Sequence, residues 1–112
     1  MTVTTHVLDT VTGRPATDLA VRLARSEPGG YRELAAGRTD ADGRLRAWPT
    51  GDPVVGAGTY RLTFETGEYF ARRATAAFHP RVEVVFEVLD ATAHHHVPLL
   101  LSPFAYSTYR GS

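Results

Sequence analysis

The chain has 112 residues, with 12 basic and 12 acidic side chains and no cysteine. This length suits one domain with one core, so we expect a single domain over residues 1–112. Balanced charge gives no reason to expect a nucleic-acid or membrane partner, and the absence of cysteine excludes disulfides and thiolate metal sites.

The start of the chain predicts a strand and no leader. Residues 1–5 contain no basic region and no apolar run, which argues against a secretory signal and makes the cytoplasm the default location. No segment of the sequence is long enough to span a bilayer. Residues 3–8 alternate, with Thr4, His6 and Leu8 on one face.

The rest of the first half continues as strands and turns. Glycine and proline mark turns at residues 10–15 and 27–30, and Asp and Gly mark one at 40–43. Strands are predicted between and after these turns, at residues 19–24, 31–38 and 44–48.

The second half contains the clearest alternation. Residues 59–65 place Tyr60, Leu62 and Phe64 on an inner face. Thr66 can cap a helix of about two turns, with Glu68 suited to its first turn. Residues 81–89 form the strongest predicted strand, and residues 95–101 are its expected partner after a turn. A last short strand is predicted at residues 104–109.

These elements predict an all-β protein. About eight short strands at regular spacing, with one short helix, indicate an antiparallel β-sandwich.

Two patterns resemble metal sites. On a strand, only His94 and His96 of the three consecutive histidines share a face, and a zinc site needs a third ligand that the sequence does not place nearby. Asp40 opens a run like a calcium loop, but the twelfth position, which needs Glu, is Gly51. The sequence therefore favours polar strand-edge histidines and a turn, and we expect no metal.

Three short sequence segments resemble those of a known protein family. The longest is HVPLLLSP at residues 96–103, followed by YSTYRGS at 106–112. The others are THVLD at residues 5–9 and DGRL at 42–45. Taken together they resemble the signature of 5-hydroxyisourate hydrolases, the transthyretin-like enzymes of urate breakdown, whose terminal YRGS is the most specific part.

The resemblance implies a fold and an assembly. It suggests a transthyretin-like antiparallel β-sandwich of two four-stranded sheets, with the helix after the fifth strand. It also suggests a homotetramer, a dimer of dimers, with the sites at the dimer–dimer interface. The implied partner is the small molecule 5-hydroxyisourate, with no nucleic acid, no membrane and no cofactor.

The resemblance also implies roles for six residues. The reaction opens a ring amide with water, which requires a general base near neutral pH and donors for an oxyanion. Those implied to be catalytic are His6, Arg44, His96 and Ser112. Tyr109 and Arg110 are implied to line the substrate pocket with them, and the chain end is expected to be docked. Which histidine is the base stays open.

Each of these residues also has an ordinary interpretation. A lone His6 on a strand is more often structural than catalytic, Arg44 after a turn is more often a solvated charge, and a final serine is usually disordered. Two other functions compete with the enzyme. One is a non-catalytic, transthyretin-like carrier of a small ligand, and the other is a structural sandwich domain.

Overall fold

The computed structural model describes residues 3–112, which form two packed β-sheets and one short helix. Met1 and Thr2, part of the segment considered above for a secretory signal, lie outside the described residues. The strands are β1 (Val3–Asp9), β2 (Arg14–Pro15), β3 (Ala20–Glu27), β4 (Gly30–Arg38), β5 (Arg44–Leu45), β6 (Gly58–Phe64), β7 (Val82–Val88), β8 (His95–Leu101) and β9 (Tyr106–Thr108). The helix, α1 (Thr66–Ala71), follows β6, which is the fifth of the strands predicted from the sequence because β2 lies in a predicted turn.

The strands divide into two sheets. The first has the order β2-β1-β8-β9, and β5 also pairs with β1. The second has the order β4-β3-β6-β7. The predicted all-β sandwich with one short helix is confirmed.

The pairing differs from the expected antiparallel, four-plus-four arrangement in one sheet. β1 and β8 run parallel over seven residue pairs, from Val3↔His95 to Asp9↔Leu101. The first sheet also has five strands, because β2 and β5 are two-residue strands that share one edge of β1. A parallel pair needs a long connection, and the whole second sheet lies between β1 and β8 in the chain.

The predicted pairing of residues 81–89 with residues 95–101 is wrong. β7 pairs with β6 in the second sheet, and β8 pairs with β1 and β9 in the first. Both strands alternate strongly, but alternation reports which face is buried and not which strand lies alongside. The segment between them therefore crosses from one sheet to the other.

The core lies between the inner faces of the two sheets. Tyr60, Leu62 and Phe64 are fully buried, as their alternation predicted. Val3 and Val7 of β1 pack into this core from the other sheet. Thr4 and His6 alternate with them along β1 and therefore lie on the outer face of that sheet.

Two local predictions need correction. Thr66 is the first residue of α1 and does not cap it, because Glu65 occupies the N-cap position and makes no side-chain hydrogen bond there. The strand predicted at residues 44–48 ends at Leu45. Trp48 turns inward instead, where its Nε1 donates to the carbonyl oxygen of Val3 at 2.8 Å.

Within residues 3–112, no helix has the length and apolar character needed to cross a membrane.

Candidate active site

The outer face of the first sheet gathers three of the residues singled out in the sequence. The parallel register places Thr4 opposite His96 and His6 opposite Pro98. On the other side of β1, His6 lies opposite Arg44 of β5. Since directly opposed residues point to the same face of a sheet, His6, Arg44 and His96 share the outer face.

The turn before β5 fixes the position of Arg44. Asp40 Oδ1 accepts hydrogen bonds from the backbone N–H of Asp42 at 2.8 Å and from that of Arg44 at 3.0 Å. The N–H of Arg44, followed by that of Asp42, holds the pKa of the Asp40 carboxyl below its usual value despite some desolvation. The carboxylate thus orders the turn, as expected from the sequence.

Gly43 lets this turn approach β1. The backbone there has φ +72°, a left-handed conformation, and its carbonyl oxygen accepts a hydrogen bond from the N–H of Val7 at 2.8 Å. A Cβ at this position would come within 2.6 Å of the Val7 carbonyl oxygen. A side chain would therefore push Arg44 away from His6.

The chain end is bound to β8. The backbone N–H of Gly111 donates to the carbonyl oxygen of His96 at 2.8 Å, and Thr108 Oγ1 donates to that of Pro98 at 2.7 Å. These contacts bring Ser112 to the outer face beside His96. The expectation of a docked end agrees with this geometry.

A cavity of about 350 Å³ lies where these segments meet. Its lining residues are Thr4, Thr5, Arg44, Arg46, His94, His96 and Ser112. It therefore brings together Arg44, His96 and Ser112 of the expected set. His6 lies beside it, close enough for its charge to act on His96.

Tyr109 and Arg110 lie elsewhere. They line a neighbouring groove of about 300 Å³, together with β7 residues such as Val84 and Phe86. His96 lines both the groove and the cavity. In a single chain, then, Tyr109 and Arg110 do not share the cavity that holds Arg44.

The sequence interpretation missed four cavity residues: Thr4, Thr5, Arg46 and His94. Alternation could have found two of them, because Thr4 shares the face of His6 and His94 shares that of His96. Arg46 follows Arg44 by two residues, and its Nη2 lies 3.4 Å from Asp42 Oδ2. His95, by contrast, faces away from the cavity and is buried.

The surroundings of His96 favour its neutral form. Burial lowers the pKa of His96, and the nearby positive charges of His94, Arg44 and His6 lower it further. At neutral pH the ring therefore holds a free lone pair on one nitrogen, which is what a general base requires.

The geometry does not assemble a metal site from the described residues. Within residues 3–112, no three His, Asp or Glu side chains lie close enough together to hold an ion. His94 Nε2 and His96 Nδ1 instead each lie 2.8 Å from Thr4 Oγ1.

Residues 3–111 match the family model described as the HIUase/Transthyretin family. This chain belongs to the HIUase/Transthyretin family. A mouse relative named 5-hydroxyisourate hydrolase is 47% identical over 111 residues, covering 97% of this chain and 93% of its own length.

Solved structures of the HIUase/Transthyretin family superpose closely on this chain. The Klebsiella pneumoniae 5-hydroxyisourate hydrolase has a TM-score of 0.85 at 38% identity and covers 99% of this chain and 93% of its own. Sea bream transthyretin, in complex with thyroxine, has a TM-score of 0.90 at 32% identity and covers 99% of this chain and 95% of its own. The fold is thus shared by a 5-hydroxyisourate hydrolase and by a transthyretin that binds thyroxine.

Replacing Gly111 with alanine tests the docked end of this family member. A Cβ there would come within 2.5 Å of His96 Cδ2 and 3.2 Å of Pro98 Cγ, so either the tail or the His96 ring must move. A displacement of about 1 Å can cost on the order of 10²-fold in rate, so we expect a loss of up to that size. Turnover of 5-hydroxyisourate and the thermal midpoint are measured together. Full turnover with an unchanged midpoint would show that the tail is not held against His96.

Proposed function

We propose that the protein hydrolyses 5-hydroxyisourate to 2-oxo-4-hydroxy-4-carboxy-5-ureidoimidazoline, a step of urate degradation. The observation that carries the proposal is the cavity in which Arg44, His96 and Ser112 meet. Relatives at 40% to 47% identity that are named as this hydrolase support the substrate. A volume of about 350 Å³ is at the small end of ligand pockets and suits a compact bicyclic molecule.

In this proposal His96 is the general base. Its lowered pKa keeps it neutral at physiological pH, so it can take a proton from water as the water oxygen bonds to the ring carbonyl carbon. When the carbon–nitrogen bond of the ring breaks, the same proton passes to the departing nitrogen. His6, on the same face beside Arg44, is the second member of the acid–base pair.

Arg44 stabilises negative charge. Its guanidinium offers planar, paired donors that suit a carbonyl oxygen becoming an oxyanion. The turn built on Asp40 fixes the backbone of Arg44, so the point from which its side chain extends is set before substrate arrives. We also propose that the Ser112 hydroxyl positions the water or the substrate.

Tyr109 and Arg110 lie outside the cavity of the single chain. They line the adjacent groove and not the cavity, and His96 is common to both. We propose that they contact substrate once the site is completed by assembly.

The assembly we propose is a homotetramer, a dimer of dimers, with the sites at the dimer–dimer interface. Two observations support it. β7 and β9 are edge strands with one neighbour each among the described residues, which leaves backbone groups open to pairing. The cavity also opens on an outer sheet face that carries Leu100, an apolar residue 37% exposed. Light scattering should give four times the chain mass, and a fully active monomer would refute the proposal.

A non-catalytic carrier is the second candidate. The 0.90 TM-score with a thyroxine-bound transthyretin favours it, because the fold alone does not separate the two functions. A carrier has no need for a neutral histidine beside an arginine and a serine hydroxyl. The enzyme is therefore the better-supported proposal, and we place it in the cytoplasm as a single domain.

The deciding experiment is a timed assay. Urate oxidase generates 5-hydroxyisourate, and its ultraviolet band is followed with and without this protein. We expect faster decay with the protein, and the same acceleration after treatment with a chelator. Decay equal to the protein-free control would favour the carrier, and loss of the effect with chelator would show that a metal takes part.

A further inference from the structure

Thr4 lies between two histidines of the same cavity. Its Oγ1 is 2.8 Å from His94 Nε2 and 2.8 Å from His96 Nδ1. Thr4 is only 8% exposed, so its hydroxyl has little access to water. A threonine hydroxyl has one hydrogen to donate and two lone pairs. It can donate to only one of the two rings at a time.

Two arrangements satisfy all three groups when both rings are neutral. In the first, His96 donates its Nδ1 hydrogen to Thr4, and Thr4 donates to His94, so His96 keeps a lone pair on Nε2. In the second, His94 donates to Thr4, and Thr4 donates to Nδ1 of His96, so the hydrogen of His96 is on Nε2. The arrangement thus decides whether Nε2 of His96 can accept a proton.

Nε2 is the nitrogen of His96 that remains for water or substrate. Nδ1 contacts Thr4, and the Cδ2 edge of the ring lies against Gly111. Arg44 and Arg46 line the same cavity. A lone pair directed toward guanidinium charges is electrostatically favourable, whereas an N–H directed toward them is not. The charges of the cavity therefore favour the first arrangement.

Other titratable groups near His96 leave this preference in place. On the cavity side they are His6, Arg44, Arg46 and His94. On the groove side they are Glu87, His95, Tyr109 and Arg110. Glu87 is the one acidic side chain in these two sets, and its carboxylate accepts a hydrogen bond from Thr59 Oγ1. All four titratable side chains named on the cavity side are basic, and one of them, Arg46, is paired with Asp42 at 3.4 Å.

We propose that Thr4 and His94 are positioning residues that hold His96 in the form with its hydrogen on Nδ1. The inference rests on the proposed function, because it concerns the base of that reaction. When Nε2 takes a proton from water, the hydrogen bonds from His96 to Thr4 and from Thr4 to His94 keep their direction. No dipole has to reorient during proton transfer, so no reorganisation free energy is added to the barrier.

Nitrogen-15 NMR of the full-length protein tests the arrangement without any substrate. The imidazole nitrogen shifts distinguish a hydrogen on Nδ1 from one on Nε2. We expect His96 of the native protein to carry it on Nδ1 at pH 7.5. Thr4→Val and His94→Leu should both move it to Nε2, while Thr4→Ser, which keeps the hydroxyl, and His79→Leu, remote from the cavity, should not. A native His96 with its hydrogen on Nε2, or a Thr4→Val variant with no change, would overturn the proposal.

Kinetics give the matching readout. We expect Thr4→Val to lower kcat/KM about 10- to 100-fold, the range known for loss of a partner that orients a metal-bound histidine. Most of the loss should be in kcat, and Thr4→Ser should recover most of it at an unchanged thermal midpoint. Equal kcat/KM values for Thr4→Val and native protein would overturn the positioning role. If native protein shows no hydrolysis at all, the proposed function fails, while the NMR result still decides the tautomer.

Discussion

Replacement of His96 with glutamine is expected to lower kcat/KM for 5-hydroxyisourate by about 10²- to 10⁴-fold, the range that a general acid–base group contributes. Glutamine can still form a hydrogen bond with Thr4, but it cannot take a proton from water. Burial and nearby positive charge lower the pKa of His96, but they cannot tune a glutamine amide, which does not titrate. The rate that remains should lose its dependence on pH in the range where His96 titrates.

The dependence of kcat/KM on pH should show His96 acting as a base. Because the pKa of His96 is below its usual value of about 6.5, native kcat/KM should stay near its maximum as the pH falls to about 6.5 and decline below it. His79→Gln is the matched control, since His79 contacts Tyr106 and lies outside the cavity. If His96→Gln and His79→Gln turn over substrate at the same rate, His96 is not the base.

Replacement of Arg44 with glutamine is the second large effect that we expect, about 10²- to 10³-fold in kcat, as for loss of one oxyanion donor. The loss should exceed any change in KM if the guanidinium binds the transition state more strongly than the substrate. Arg44→Lys should recover only part of it, because an ammonium keeps the charge but not the paired planar donors.

Arg32→Gln is the control for this substitution. Arg32 lies on β4 of the other sheet and pairs with Glu27, so its loss should leave turnover unchanged. Thermal midpoints identify any variant that loses activity through unfolding. An Arg44→Gln protein that folds and keeps native kcat would remove Arg44 from the proposed mechanism.

Much of the fold could be predicted from local pattern. Alternation along residues 59–65 placed Tyr60, Leu62 and Phe64 in the core, and all three are fully buried. Glycine and aspartate marked the turn before Arg44 because only certain residues accept its backbone angles. The wrong pairing joined two neighbouring strands, Val82–Val88 and His95–Leu101, whereas His95–Leu101 pairs with the distant strand β1. Pairing depends on contacts that alternation does not encode.

The candidate site was also predictable only in part. Family motifs named Arg44, His96 and Ser112, and the structure places all three on one cavity. The same motifs did not reveal that Tyr109 and Arg110 lie in a separate groove. Thr4 gave no motif of its own, because its place between His94 and His96 exists only once β1 and β8 are in register.

The sequence by itself determined the residue types available for chemistry, the all-β class and the inward and outward faces of the strands. It did so because these follow from side-chain chemistry and a two-residue period, which are local properties. Tertiary structure alone decided that β1 and β8 run parallel, with Thr4 opposite His96 and His6 opposite Arg44. These partners are separated by long stretches of chain, so only the packing of the two sheets into one core brings them side by side.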